Sequence, residues 1–191
     1  MSALPPSDPG APGTVRTAPE LHRLSVSVDR LTAHASDWST QRLLDEGLDL
    51  VRDVSWADAC ALVRVDGGEV IVVHSRPGQP SSADEASSVA LPPLHDVPTD
   101  WFPWGLAPIQ ADRFVLIDDA RALPAGPAGT ATLGSCGVRS CLHLPLRQRG
   151  RTVGALQVYW SQPRLEWDDD RGRLLRTLGR FLLGCDDRDR A

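Results

Sequence analysis

The sequence predicts an α+β domain, a central antiparallel sheet with terminal helices packed on one face. Three observations carry that expectation: two alternating apolar runs joined by Gly67-Gly68, a second such pair around Gln148-Arg149-Gly150, and an amphipathic stripe at each end of the chain.

Residues 1–18 are rich in Pro, Gly, Ser and Thr and hold almost nothing to bury, so they are expected as a disordered tail. The domain is expected over 19–186, with 187–191 as a polar tail. Leu21, Leu24, Val28 and Leu31 recur at three- and four-residue spacing and predict a first helix over about 19–35. Asp37 or Ser39 is placed to cap a second, over about 39–54, whose apolar face is built from Leu43, Leu44, Leu48, Leu50, Val51 and Val54. Strands follow at 59–66 and 69–75, because Gly67-Gly68 accepts the positive φ of a tight hairpin turn. Residues 76–99 are too polar for a core and too long for a turn, so a mobile loop with one short strand near 89–91 is expected. Asp100 is placed to cap a short aromatic helix, WFPWGLAPI, and RFVLID (113–118) reads as a third strand. A loop with a weak helix around 128–133 leads to the alternating runs 138–147 and 151–160. Asp168, Asp169 and Asp170 mark the start of a last helix over about 168–185, where acid favours the positive end of the helix dipole.

At 191 residues and 41% hydrophobic content, the chain is long enough for one core without a metal or disulfide staple. No run approaches the ~18 apolar residues of a membrane span and no signal core opens the chain, so a cytoplasmic protein without a membrane partner is expected. Cys60, Cys136, Cys141 and Cys185 show no zinc spacing and are expected as reduced thiols. With 20 basic against 25 acidic residues and a net charge of −5, no nucleic-acid partner is expected. Every basic residue is arginine and neither Lys nor Asn occurs, which reads as a GC-rich coding bias.

The hairpins ADACALVRVDGGEVIVVHSRPG and GVRSCLHLPLRQRGRTVGALQVYW resemble those of a GAF domain, the ligand-binding and dimerising module of cyclic-nucleotide phosphodiesterases, phytochromes and many bacterial sensor kinases. WFPW…FVLIDDARALP followed by RLEWDDDRGRLLRTLGRFL is further similar to a bacterial subgroup in which the domain precedes a kinase, cyclase or transcription module. The resemblance covers about residues 20–186. It implies a cavity, walled by loops and short helices, on the sheet face away from the terminal helices. Only Asp186 to Ala191 follow the last helix, so a stand-alone module acting on a signalling protein in trans is expected.

Alternation puts Leu142, Leu144, Leu146, Leu156, Val158 and Trp160 on one sheet face, expected under helices, and Cys141, His143, Pro145, Gln157 and Tyr159 on the other. The second set, joined by Cys60, Leu62 and Arg64, is expected to floor the ligand pocket, with Trp101 and Trp104 closing over it and the 76–99 loop as the moving cover. The alternative is that these residues only fill the sheet's far face. Cys141 and His143 are too few to hold a metal, and no metal or catalytic residue is expected. Relatives that attach a bilin use a Cys immediately followed by His, whereas Leu142 separates the two here. Free-methionine-sulfoxide reductases share the fold and hold their substrate's ammonium with carboxylates. Cys141, Gln157 and Tyr159 stand at the corresponding positions, none an acid, with Cys136 near the reactive loop. His22, His34, His74 and His95 are expected as surface or loop residues.

These readings converge on a non-catalytic small-molecule-sensing or regulatory module, with a purely structural dimerisation or protein-interaction module as the alternative and a Cys-based reductase behind both. A homodimer is expected through Leu21, Leu24, Val28 and Leu31 of the first helix and Leu174, Leu178, Phe181 and Leu182 of the last, four helices forming a bundle. The small molecule, the cofactor and the output protein are left open.

Overall fold

Alternating apolar runs become the five strands of one sheet in a computed structural model, which describes residues 18–66, 69–77, 109, 111–123, 130–164 and 167–190, with the backbone alone for 18–24, 66, 69 and 130–132. The strands are β1 (Ala59–Asp66), β2 (Glu69–Arg76), β3 (Val115–Ile117), β4 (Ser140–Gln148) and β5 (Arg151–Trp160). They pair antiparallel in the order β2-β1-β5-β4-β3. The helices are α1 (Ala18–Ala33), α2 (Thr40–Ser55), α3 (Thr130–Ser135) and α4 (Asp169–Asp189), with a 3₁₀ turn at Ala120–Ala122. The α+β class and the antiparallel sheet expected from the hairpin patterns are what the chain forms. The expected tail, the short strand near 89–91 and all but Ile109 of the expected aromatic helix lie outside the described residues.

Local chemistry accounts for the boundaries. Ser39 caps α2 by accepting from the Arg42 amide, and Asp168 caps α4 by accepting from the Asp170 amide at 2.9 Å, each satisfying an amide that a helix start leaves without a partner. In the β4–β5 hairpin Gln148 lies opposite Arg151, which leaves Arg149 and Gly150 at φ 48° and 80°, the paired positive angles of a type I′ turn. The third strand is shorter than its pattern suggests. Asp118 and Asp119 leave the ladder, and Asp119 accepts a two-pronged bond from Arg139, at 3.2 and 2.9 Å, that fastens the 3₁₀ turn to the start of β4.

One face of the sheet lies under helices. Leu142, Leu144, Leu146, Leu156, Val158 and Trp160 form a single buried core with residues of α2 and α4. Burial of each such leucine contributes roughly 1.5–3 kcal/mol. Close approach is enforced by glycine: a Cβ on Gly179 would stand 2.9 Å from Leu146 Cδ2, and one on Gly47 would collide with Leu182. The Trp160 indole N–H donates to the Ser55 carbonyl at 3.1 Å, tying the end of β5 to the end of α2. Helix α4 runs through Asp189, so residues 187–189, expected as part of a polar tail, form its last turn. The reason is that Asp186 and Asp187 have partners on the sheet, described below. No helix among the described residues is long and apolar enough to cross a membrane.

Candidate functional site

The register of β3, β4, β5 and β1 fixes what the opposite, far face presents. Val115 lies opposite His143, His143 opposite Gln157, and Gln157 opposite Ala61, a row across four strands. One step along, Ile117, Cys141, Tyr159 and Ala59 form the next row. His143 and Gln157 are both buried, at 2% and 3% exposure, and stand between two separate apolar clusters. The first cluster gathers around Ile117, Leu133, Cys136 and Cys141; the second is Ala61, Val63 and Ala155 with Ile109 packed on them. The Tyr159 hydroxyl donates to Gln157 Oε1 at 3.0 Å, and the His143 and Tyr159 rings meet edge to face with centroids 5.9 Å apart.

Burial sets the protonation of this group. It pushes the His143 imidazole down to about 4, the Cys141 thiol up to about 12 and the Tyr159 phenol well above its usual value. At neutral pH all three are uncharged. A neutral imidazole keeps one donor and one acceptor, and a protonated thiol is a poor nucleophile. Among the described residues no group of three His, Cys, Asp or Glu is arranged to hold a metal ion.

The expected pocket residues divide between the two faces. Cys141, His143, Gln157 and Tyr159 share the far face. Cys60, Leu62 and Arg64 do not, and the expectation for them is corrected: Cys60 lies opposite Val158 and Leu62 opposite Leu156, and antiparallel partners point the same way, so all three turn toward the helices. Cys60 Sγ donates to the Leu48 carbonyl of α2 at 3.4 Å, and Leu62 is part of the helix-covered core. The residues that β1 sends to the far face are Ala59, Ala61, Val63 and Val65. Trp101, Trp104 and nearly all of the expected 76–99 cover lie outside the described residues.

Arg64 instead reaches α4. Its Nη2 lies 2.6 Å from Asp186 Oδ2 and 2.7 Å from Asp187 Oδ1; Arg190 joins Asp186 at 2.9 Å and the Gln148 amide donates to Asp187 at 3.3 Å. His74, expected at the surface, is half-buried and meets Asp45 of α2 at 2.8 Å beside Arg76, which lies 3.0 Å from the same carboxylate. A bulge in β2 opposite Leu62 and Val63 brings His74 to this face.

The expected dimer residues are corrected in part. Leu31, Leu178 and Leu182 are buried in the chain's own core and are not available to a second copy, because α1 and α4 fold onto α2 and the sheet. Val28, Leu174 and Phe181 remain half-buried, Val26 is 51% exposed, and the side chains of Leu21 and Leu24 lie outside those described. A groove of about 160 Å³ opens between α1 and α2, lined by Leu31, Trp38, Glu46 and Asp49 among others, on the helix side and away from the far face. One ring face of its Trp38 stacks on His34 at 4.6 Å, and the Arg42 guanidinium lies 4.1 Å from its centroid.

A five-stranded antiparallel sheet with helices on one side and a buried polar group on the other defines a class of small α+β modules. A GAF-domain family model matches residues 39–182, and the chain belongs to the GAF domain family. None of the curated proteins is detectably similar to it in sequence. Solved structures are similar in fold. The GAF domain of an Acinetobacter phosphoenolpyruvate-protein phosphotransferase is 18% identical, with a TM-score of 0.60 over 92% of this chain and 96% of that one. The phycoerythrobilin-bound GAF domain of a cyanobacterial phytochrome is 14% identical, with a TM-score of 0.62 over 87% and 96%. Free methionine-R-sulfoxide reductase from Neisseria meningitidis, in complex with its substrate, is 14% identical, with a TM-score of 0.60 over 93% and 96%.

Proposed function

We propose that this chain is a non-catalytic, small-molecule-sensing GAF module of the cytoplasm that acts on a partner protein in trans, as a homodimer through its terminal helices. The observation that carries this reading is the buried His143–Gln157–Tyr159 group. A sheet face that served packing alone has no need of polar residues at 143 and 157, where the opposite face has Leu144 and Leu156, because a polar group gives up its hydration on burial and an apolar one does not. The similar structures of a phycoerythrobilin-bound GAF domain and of a free methionine-R-sulfoxide reductase in complex with its substrate support the use of this fold for small molecules. The protonated Cys141 thiol favours binding over thiolate chemistry.

A thermal-shift screen of the full chain against nucleotides, amino acids and haem tests the reading. A ligand at 100 times its dissociation constant stabilises the folded state by about 2.7 kcal/mol and raises the melting temperature. Silence across the screen favours the second reading, a structural dimerisation module, for which the exposed Val26 and half-buried Leu174 and Phe181 speak. Sedimentation as a monomer at tens of micromolar would remove the homodimer from both.

A further inference from the structure

The described part of the far face carries no charged side chain in either of its apolar clusters, and the two polar residues between them are a glutamine and a histidine held neutral by burial. Among the charged residues of the neighbouring strands, Arg64 meets Asp186 and both His74 and Arg76 meet Asp45 on the other face, while Arg139 and Arg147, at the two ends of β4, are each already neutralised by a carboxylate, Asp119 and Asp112. The remaining chain offers little to balance an anion there. Residues 78–108 contain Asp84, Glu85, Asp96 and Asp100 but neither Lys nor Arg, and residues 124–129 contain no charged residue. Wherever those segments lie, they bring no lysine or arginine, and His95 is their one basic side chain.

We propose that the far-face site takes an uncharged small molecule that offers a carbonyl or ring-nitrogen acceptor to Gln157, and that it excludes phosphates and carboxylates. The proposal rests on the reading of this face as a ligand site. Gln157 Oε1 is already engaged by the Tyr159 hydroxyl, so the amide N–H groups are what the side chain has left to give, and an acceptor is their complement. Beside them Ala61, Val63 and Ala155 with Ile109 provide apolar surface for the rest of a ring. An anion buried on this floor would lose its hydration and gain no counter-charge, whereas a neutral heterocycle or amide gives up far less.

Matched pairs that differ by one anionic group test this on the full chain: nicotinamide against nicotinate, uracil against orotate, and adenosine against adenosine 5′-monophosphate. Titration calorimetry near 150 mM salt, where the Debye length is about 8 Å, keeps the overall negative charge of the protein from imitating selectivity. At least one neutral member is expected to bind, with its anionic counterpart at least tenfold weaker. Gln157→Leu should weaken the neutral member at least tenfold with the melting transition retained. If that variant does not fold, Tyr159→Phe, which frees the amide to turn its oxygen toward the ligand, is expected to weaken it in the same direction. An anion that binds as tightly as its neutral counterpart overturns the proposal and leaves the ligand-site reading standing. No binding by any pair, together with silence in the wider metabolite screen, overturns both.

Discussion

Arg64 in the middle of the sheet and Asp186 near the end of α4 are joined at 2.6 Å, with both side chains mostly buried. The contact fixes the last turn of the helix to β1, one residue beyond Val63, which packs on the far face. Sheet and terminal helix are thus tied directly to each other at this point.

Arg64→Ala is expected to cost about 1–3 kcal/mol, since it leaves part-buried carboxylates short of a donor while Arg190 and Gln148 retain their bonds to them. Urea denaturation reads the loss, and hydrogen exchange should quicken at residues 185–189 before anywhere else. Unchanged exchange there would mean that the helix end is held by packing alone.

His143 makes stability depend on pH. Its folded value of about 4 lies below the ordinary 6.5, so between those limits the unfolded chain takes up a proton that the folded chain refuses. Stability contributed by the neutral ring is full above pH 6.5 and falls as pH drops to 4, by about 3 kcal/mol in all. The difference between the wild type and His143→Gln isolates this from the titration of carboxylates. Parallel stability curves for the two proteins between pH 7 and pH 4 would refute it.

Gly154→Ala is expected to destabilise by at least about 2 kcal/mol, because the added methyl would run into the Val63 carbonyl oxygen, a backbone atom of the paired strand that has no rotamer to change. Gly134→Ala in α3 meets nothing within 4 Å among the described residues and should be neutral or gain roughly 0.5–1 kcal/mol from helix propensity. Melting curves of the two variants compared with wild type give the answer; equal effects would show that strand spacing at Gly154 is loose.

All of the chain's cysteines are free and buried, and burial raises the thiols of Cys60 and Cys141. An aromatic disulfide reagent at pH 7.5 should therefore label them only as fast as the protein unfolds, and fully in denaturant. Rapid native labelling of Cys136 or Cys141 would revive the Cys-based reductase.

The faces of the second hairpin were legible because bulky leucines alternate with smaller or polar residues from Cys141 to Leu146, and a register shift by one would expose every leucine. The first hairpin gave no such contrast. Its strand β1 alternates Cys60, Leu62 and Arg64 with Ala59, Ala61 and Val63, two sets that apart from Arg64 are of similar apolar character, and only the pairing of Leu62 with Leu156 decides between them. Alternation alone cannot place Arg64 either, since its partner Asp186 lies 122 residues away and local sequence gives a buried arginine no counter-charge. A charged residue on an otherwise apolar stripe, matched by the Asp186-Asp187 pair closing a helix, was the only trace of that contact. Simple alternation from Val72 puts His74 on the far face, and the bulge between them turns it to the helix side instead.

The fit of Leu182 into the notch left by Gly47, and of Leu146 against Gly179, keys α4 to its neighbours at two places. Axial slip of α4 would carry Leu182 off that notch and onto the bulkier Leu43, Leu44 or Val51 on either side, and the next helical register is a full 5.4 Å away. A piston stroke is therefore barred. Under the proposed regulatory role, a disturbance of the sheet would then move the end of α4 as a swing about this joint, and a partner would sense the angle of the helix and not its height.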